Sequence, residues 1–388
     1  MTVRLTWAEV CARRLARHAL ARPSDGAIDD VVAATCGAHA QVMSAAELSV
    51  GLRLAGSTRT DVRDALWTHK SLVKTYGPRG TIHFLPTAEL PLWTSALSAI
   101  PGGPSAFKAA DRLTPAQTDA IVSAIGDALD GASLTIDELS DEVVARTGPW
   151  AGDLVLPAFQ GMWPRWRSVM HMAGHRGVLC FAPNRGRKVT YTRSPVSESD
   201  SGEPPLSAEV ATGRLLRRFL YAYGPATPPE FAKWAAAPGG WASDLFASLA
   251  SDGEIEEVEM DGVPSAWVVV DDTEFPEEPV RGVRLLPYFD AYVIASHPRG
   301  RLFPGPAYER ALAGGQAGNF PVLLIDGVVA GVWHQRRSGR RLTVTVEPLG
   351  KLTATQGREL EGQAERVGEV LEGRAELVVG KVEVGAHA

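Results

Sequence analysis

The feature that most constrains the fold is a pattern of helices followed by short strands, which occurs three times along the chain. Two copies carry the same motif, Arg-Gly-x-aliphatic-x-Phe-x-Pro, at Arg79–Pro86 and Arg176–Pro183. The glycine permits a sharp turn, the alternation suits a short strand, and the proline ends strand pairing. We interpret the motif as an internal repeat that follows a helical stretch each time. The alternative is a coincidence between two strands.

Helix-start signals precede the first copy and define a third. Ser44–Leu48 is predicted to open a helix with a capping box, and a second helical run follows a Gly-Ser break and extends to Leu72. The third, weaker copy has a helix start at Thr227–Phe231 and a glycine break at Gly239-Gly240. A helix then ends at Leu249, and a strand pair follows at residues 254–260 and 265–270.

The second copy has its own helix signals. Thr135–Leu139 opens a predicted helix that stops near Gly148. A further helix is predicted from about Asp153, with Pro157 and Pro164 at its ends or at a kink, because proline disrupts a helix interior. Each copy thus combines helix, turn, helix and strands.

Helix, turn, helix and a two-stranded hairpin is the winged-helix plan. We therefore predict an α+β chain with three tandem winged-helix units, at residues 1–105, 106–200 and 201–280, followed by a β-rich domain at 281–388. The linker Ser194–Pro205 marks the boundary between the second and third units. The last domain is predicted to be β-rich, with apolar runs at Val283–Ile294 and Phe320–Ile325. A hairpin follows at Val328–His334 and Leu342–Glu347, then a helix at about 354–371 and a last strand near 375–384.

Charge is unevenly distributed along the chain. The net charge is −6, yet residues 251–280 hold eleven acidic residues and no Lys or Arg, so the rest of the chain is net basic. Asp271-Asp272 and Glu277-Glu278 are interpreted as a solvated acidic surface. Because a polyanion responds to a local face rather than to the total charge, composition leaves DNA binding open.

Composition and motifs exclude several other classes. Cys11, Cys36 and Cys180 are widely spaced and odd in number, which argues against a disulfide framework or a thiolate metal site and favours a reducing, cytoplasmic compartment. No apolar stretch approaches a membrane span or a secretory signal. His171 and His175 could share a helical face, but a packed or solvated pair is favoured over a zinc site. No cofactor motif is present, so we expect no metal or organic cofactor.

One short segment carries candidate catalytic groups. Gly37–Met43 directly precedes the predicted capping box and is expected to be extended. On an extended chain His39 and Gln41 lie on one face, about 6.5–7 Å apart, while Ala38 and Ala40 point the other way. On their own, two such polar residues also fit satisfied surface or core groups.

Together with three other motifs, this segment resembles a known family, the winged-helix AlkZ-type DNA glycosylases of bacteria, first associated with self-resistance to DNA-alkylating antibiotics. The motifs are Arg79–His83, Leu285–Tyr292 and Asp326–Trp333, and the resemblance extends over roughly residues 5–385. It implies a C-shaped arrangement of three winged helices and a β-domain around double-stranded DNA. It also implies a catalytic polar-x-polar motif, commonly Gln-x-Gln or Gln-x-Asp. His39 and Gln41 match that motif, with His departing from the commonest first residue.

The resemblance implies a monofunctional glycosylase that excises bulky or cationic alkylpurines, such as N7-alkylguanine. Such a base is already a good leaving group, so the enzyme mainly holds a water and stabilises an oxocarbenium-like sugar. Gln41 could orient the water, and a neutral His39 could accept its proton. The alternative is a non-catalytic winged-helix DNA binder, either a regulator or an adduct-sequestering factor.

DNA binding requires basic residues along one face. The tip Asn184–Lys188 is the preferred minor-groove probe, with a solvated turn as the alternative. His83 is expected to pack, with a backbone contact as the alternative, and Arg299 and Arg301 are expected to pair with Asp290. We expect a monomer. The basic candidates are Arg13, Arg14, Arg17, Arg165, Arg167, Arg185, Arg187, Lys188, Arg336, Arg337, Arg340 and Arg341.

Overall fold

The structure is a computed structural model. It describes residues 3–102, 112–158, 161–195, 206–276, 278–312 and 314–385. Within these ranges no helix is long and apolar enough to cross a membrane.

The first part of the chain forms a three-stranded sheet covered by helices. After β1 (Arg4–Leu5) and α1 (Trp7–Arg17), its elements in chain order are α2 (Ile28–Ala34), β2 (Ala38–His39), α3 (Met43–Gly51), α4 (Arg59–Trp67), β3 (Leu72–Tyr76), β4 (Ile82–Pro86) and α5 (Leu90–Ala99). The sheet order is β2-β4-β3, and both pairings are antiparallel. Val32, Ala46, Val62 and Phe84 pack in its core, since each is fully buried.

The second part repeats this order with one addition. Its elements are α6 (Pro115–Leu129), β5 (Ser133–Thr135), α7 (Ile136–Thr147), β6 (Leu154–Ala158), β7 (Gly161–Pro164), α8 (Met170–His175), β8 (Leu179–Arg185) and β9 (Lys188–Arg193). The main sheet order is β5-β9-β8, equivalent to that of the first part, while β6 and β7 form a separate two-stranded sheet. The predicted helix start at Thr135 is confirmed, and a capping box opens α7, because Glu138 accepts the Thr135 N–H and Thr135 Oγ1 accepts the Glu138 N–H.

The third part has the same order again. Its elements are α9 (Ala208–Tyr223), α10 (Pro228–Ala235), α11 (Gly239–Ser251), β10 (Ile255–Met260) and β11 (Val263–Val269). Ala226 makes an isolated bridge to Trp267 in β11, in the position that a first strand has in the other two sheets. β1 adds to the far edge, parallel to β10. The predicted helix start at Thr227, where Thr227 and Glu230 form a capping box, and the predicted strand pair are both present.

The C-terminal part is a five-stranded sheet in the order β12-β13-β14-β15-β16. Its elements are β12 (Val283–Leu286), α12 (Ala291–Ala295), α13 (Arg299–Leu302), α14 (Pro306–Ala311), β13 (Val322–Ile325), β14 (Val328–Ser338), β15 (Arg341–Pro348), α15 (Ala354–Val370) and β16 (Arg374–Val379). This agrees with the predicted hairpin, helix and last strand. Within the apolar run Val283–Ile294, the strand ends at Leu286 and α12 begins at Ala291.

Two local predictions in the first part were wrong. α3 begins at Met43, and its N-cap residue is Val42, whose side chain makes no capping hydrogen bond. Ser44 and Glu47 therefore do not form a capping box. Glu47 is instead fully buried and pairs with Arg59 and Arg63 of the next helix. The second helical run also stops early, because Leu72 begins β3.

In the second part, the helix predicted from Asp153 was also wrong. Residues Leu154–Ala158 and Gly161–Pro164 are the paired strands β6 and β7. Pro157 and Pro164 lack the N–H that a helix interior needs, and a two-stranded sheet has edges where this donor is not required. The helix expected there is confined to Met170–His175.

The repeated Arg-Gly motif does not mark equivalent positions. In the first part it runs from the turn between β3 and β4 into β4, the central strand of its sheet. In the second part it follows α8 and runs into β8, an edge strand. The three parts therefore repeat in element order and sheet order, but the motif itself falls on different strands.

Candidate active site

His39 lies on the edge strand of the first sheet. It pairs with His83 in β4, and the Ala40 N–H continues the pairing by donating to the Ile82 carbonyl at 2.7 Å. Ala38 and Ala40 are buried, His39 is half-buried and Gln41 is exposed. This alternation agrees with the predicted extended segment. Gln41 lies beyond the strand, in the bend that leads to α3.

The His39 ring is enclosed by other rings. Its centroid is 5.2 Å from that of His83 and 4.7 Å from that of Phe289, which lies tilted against it. Burial, and then the nearby Arg79 charge, lower the pKa of His39 to about 3. The imidazole is therefore neutral at physiological pH. Its Nδ1 is buried with no hydrogen-bond partner among the residues that the structure describes.

His83 packs beneath His39, as the sequence favoured. It is buried, and its Nδ1 lies 2.9 Å from the Thr81 carbonyl, to which it donates when protonated at that nitrogen. Burial, and then the neighbouring His39, hold the pKa of His83 well below its ordinary value. The two histidines are thus a neutral, packed pair rather than a charged one.

Asp290 fixes the C-terminal side of the site. Arg53 donates two hydrogen bonds to its carboxylate, both at 2.8 Å, and the Ser49 hydroxyl donates a third at 2.7 Å. Burial alone would raise the pKa of Asp290, but Arg53 and Ser49 together hold it below its usual value. The expected pairing of Asp290 with Arg299 and Arg301 was therefore wrong. Arg53, from the first part of the chain, takes that place.

Phe289 owes its position to the same segment. It has a left-handed backbone with φ of 56°, and its N–H donates to the Gly318 carbonyl at 3.0 Å. Asp290 next to it caps α12 by accepting the Tyr292 N–H at 3.0 Å. The buried Arg53–Asp290 pair and this cap together hold the Phe289 ring against His39.

His39 forms part of the wall of a cavity of about 330 Å³. Side chains from the first, third and C-terminal parts meet there. The charged ones are Arg79, Lys233 and Arg299 against the single carboxylate of Glu230. Gln41 is not among the lining residues. A larger cavity, of about 550 Å³, lies between the first and second parts and includes neither candidate catalytic residue.

Sequence reasoning missed most of this lining. Arg79 and Phe289 fall within motifs that identified the family resemblance, but neither was assigned a role. A positive φ at both residues is unusual for side chains of this size. Lys233 and Arg299 carry no local signal, because they reach the cavity only through the tertiary fold.

The described residues contain no group of three or more His, Cys, Asp or Glu that could hold a metal ion. His171 and His175 lie with ring centroids 5.7 Å apart. His175 Nε2 is 3.0 Å from the Gly77 carbonyl, so this histidine joins α8 to the turn of the first sheet. The pair is packed, which is the reading that the sequence favoured.

The predicted DNA-binding arginines of α1 lie inside the protein. Arg13 and Arg14 are 2% and 1% exposed. Arg13 binds the carboxylate and carbonyl of Asp272, and Arg14 donates to the carbonyls of His297 and Pro225 at 2.8 and 3.0 Å. Arg17 also pairs with Asp272, so this carboxylate is a structural partner rather than part of a solvated acidic surface. The buried guanidinium groups of Arg13 and Arg14 have no surface to offer a phosphate.

The predicted DNA-binding residues of the two hairpins are on the surface, whereas Arg165 and Arg167 are half-buried. At the β8–β9 tip, Arg185 pairs with Glu138 at 2.9 Å and Lys188 pairs with Asp137 at 3.2 Å, while Arg187 is exposed between them. At the end of β14, Arg336 is exposed and Arg337 donates to the Leu371 carbonyl. Both hairpins thus present basic side chains to solvent.

Comparison with known proteins identifies the class of protein. A family model described as "DNA glycosylase AlkZ-like" matches residues 32–370. A curated Streptomyces sahachiroi protein, "Interstrand DNA cross-link repair glycosylase", is 34% identical over 347 residues, which cover 86% of this chain and 88% of the relative. The solved structure of Streptomyces sahachiroi DNA glycosylase AlkZ superposes with a TM-score of 0.81 at 28% identity, covering 97% of this chain and all of the other.

These matches define a DNA glycosylase, an enzyme that hydrolyses N-glycosyl bonds of DNA. The chain belongs to the AlkZ-like DNA glycosylase family.

Proposed function

We propose that the chain excises bulky or cationic alkylpurines of the N7-alkylguanine type. The observation that carries this proposal is the position of His39 in the wall of the cavity, where burial lowers its pKa to about 3 and keeps the imidazole neutral. A neutral, weakly basic imidazole cannot protonate a leaving base, which fits a base that is cationic from alkylation and departs without being protonated by the enzyme. An uncharged purine would require stronger acid-base groups.

In this proposal His39 and Gln41 hold the attacking water together. His39 stays neutral in the cavity wall and accepts a hydrogen bond from the water. Gln41 follows two residues later on the same extended segment and orients the water through its amide oxygen. Positioning and electrostatics then supply most of the rate enhancement. The side chains of Ala38 and Ala40, which are buried on the other face of the segment, support this geometry.

We further propose that the three repeated parts are winged helices. The support is the common order of helix, short strand or bridge, two helices and hairpin, together with the shared sheet order. The proposed units are residues 1–105, 106–200 and 201–280, with the β-rich domain at 281–388. In a C-shaped arrangement they would line double-stranded DNA.

DNA contacts in this proposal come from the two exposed hairpins. Arg187 and Arg336 are exposed, and Arg185 and Lys188 could exchange their exposed carboxylate partners for phosphates. Exposed ion pairs are weak, so this exchange costs little. Arg13 and Arg14 are left out because they are buried, and Arg17 and Arg337 contribute less because each binds the protein itself.

The biological role proposed is repair of alkylated DNA or self-resistance to a genotoxic natural product, by a monomer in the cytoplasm at the nucleoid. The support is the curated relative, which is named for interstrand cross-link repair. Unhooking of cross-links by this chain is part of the same proposal, since a cross-link between N7 atoms of two guanines presents two cationic purines.

The test is product analysis on DNA treated with several alkylating agents. We expect release of free N7-alkylguanine and formation of abasic sites that alkali cleaves. A shift in DNA mobility without a released base would contradict the substrate proposal and favour an adduct-binding role.

A further inference from the structure

The cavity in front of His39 has an uneven charge. Among the described residues that line it, Arg79, Lys233 and Arg299 are basic, and Glu230 is the one acidic residue. The Glu230 carboxylate accepts the Thr227 N–H at 2.8 Å as part of the α10 capping box, and its negative charge offsets only one of the three positive charges. His297 and His39, which also line the cavity, are neutral because burial lowers the pKa of each to about 3. The cavity is therefore positively charged.

Backbone carbonyls hold the two arginines in place. Arg79 donates to the Trp234 carbonyl at 2.9 Å, near the end of α10. Arg299 donates to the Ser296 carbonyl at 2.9 Å and to carbonyls of α12. In the described part of the chain, Arg79, Arg299 and Lys233 make no direct salt bridge, and Glu230 acts on Arg299 through its charge alone. The two guanidinium groups are thus fixed by carbonyls, and Arg299 Nε is buried with no hydrogen-bond partner among the described residues.

A cationic alkylpurine would be repelled by this cavity, because like charges in a partly buried site disfavour each other. A DNA phosphate has the opposite sign and offers oxygen acceptors to fixed guanidinium and ammonium donors. The backbone beside a target nucleotide also has to pass close to any residue that acts at its C1′. The positive charge of the cavity therefore favours a phosphate of the DNA backbone over a cationic base.

We propose that this cavity binds one phosphate of the DNA backbone beside the target nucleotide, through Lys233 and the fixed guanidinium groups of Arg79 and Arg299. The proposal rests on the proposed function only in assigning His39 to the reacting nucleotide. The phosphate then positions the sugar in front of His39, while the cationic base remains outside the positively charged cavity.

Lys233 is the residue to test, because its side chain is exposed and can be changed without disturbing the core. The probe is duplex DNA with one tetrahydrofuran abasic analogue, which keeps the backbone and lacks the base. Binding of the unaltered chain and of Lys233→Gln is measured across a range of salt concentrations. Lys351→Gln is the control, since Lys351 is exposed and does not line the cavity.

We expect Lys233→Gln to reduce the slope of log affinity against log salt by about 0.9, the contribution of one duplex phosphate contact. Lys351→Gln should leave the slope unchanged. Neutral methylphosphonates are then placed at each linkage flanking the analogue. At one linkage, the methylphosphonate should weaken DNA binding by the unaltered chain. On that DNA, the affinities of the unaltered chain and of Lys233→Gln should become nearly equal.

Two outcomes would overturn the proposal. One is an unchanged salt slope in Lys233→Gln. The other is a binding defect of Lys233→Gln that appears only when the alkylated base is present, which would mean that the cavity receives the base. Base release by the unaltered chain is measured in parallel on N7-methylguanine DNA. Its absence would contradict the substrate proposal and leave the phosphate result standing.

Discussion

The first and second parts of the molecule share one sheet order but join their first strand to the next helix in different ways. In the second part, β5 runs directly into α7, and Thr135 both ends the strand and caps the helix with Glu138. In the first part, β2 ends at His39, and Ala40–Val42 intervene before an uncapped α3. The first part thus lacks the local cap and has instead a short segment from which the His39 side chain faces a cavity.

Tertiary contacts replace the missing cap. Ser49 of α3 and Arg53 just after it bind the buried Asp290 of the C-terminal part, and Glu47 of α3 binds Arg59 and Arg63. The comparison indicates that the same architecture is stabilised locally in the second part, which carries no candidate catalytic residue, and through distant partners in the first part, which carries the candidate active site. A site built in this way depends on the whole chain.

The largest expected effect is on catalysis in the first part. His39→Ala and Gln41→Ala should each slow base release by about 10²–10⁴-fold, because each removes one group that positions or activates the water. The double change should cost much less than the product of the two, since residues that hold one water act as a unit. Single-turnover release of N7-alkylguanine measures the rate, and binding to abasic-analogue DNA is the control and should change little. A double variant that releases base at the parental rate would remove both residues from the mechanism.

The next effect is on stability. Asp290→Ala should lower the free energy of unfolding by about 3–5 kcal/mol, because it leaves Arg53 buried without its partner. Urea unfolding followed by tryptophan fluorescence measures the loss. The double variant Arg53→Met, Asp290→Leu is the matched control and should recover much of it, because no unpaired charge remains. A loss below about 1 kcal/mol in Asp290→Ala would mean that the pair does not stabilise the first part in place of a cap.

A smaller effect is expected in the second part. Thr135→Ala should cost about 1 kcal/mol, the usual contribution of a helix N-cap, and should leave the rate of base release unchanged under conditions where the protein is folded. Thr135→Ser retains the hydroxyl and should lose less. If Thr135→Ala slowed base release of the folded protein as strongly as His39→Ala, the division between a locally stabilised part and a catalytic part would be incorrect.

The elements that the sequence predicted well are those with local causes. The predicted helix starts at Thr135 and Thr227 are capped by side chains three residues apart, and the C-terminal hairpin follows from alternating apolar residues. Glu47 has the spacing of a capping box and yet binds arginines of another helix. Nothing in the residues around it signals that choice.

The candidate site was predictable only in part. The segment containing His39 and Gln41 was found because alternation and family resemblance agree there. The cavity was not, since its charged residues come from positions as far apart as Arg79, Lys233 and Arg299. The burial of Arg13 and Arg14 was missed for the same reason. The sequence of a helix does not show whether an arginine in it binds a phosphate or, as Arg14 does, the backbone carbonyls of a distant segment.

The smallest expected effect is the response of base release to pH. With a pKa of about 3, His39 remains neutral throughout pH 5.5–8, so the rate should vary little across this window.

The stability of the protein should respond to pH differently. Buried His18, His39 and His297 all have pKa values lowered to about 3, so the unfolded chain binds protons more readily than the folded chain below the ordinary histidine pKa of about 6.5. The free energy of unfolding should therefore fall as pH decreases from about 6.5, while the rate per folded molecule stays constant. Single-turnover rates and urea unfolding at matched pH values measure the two quantities, with spontaneous base loss from the same DNA subtracted. A rate that falls tenfold for each pH unit below about 6.5 would show that His39 titrates near its ordinary pKa, and the weak-base argument for cationic substrates would then fail.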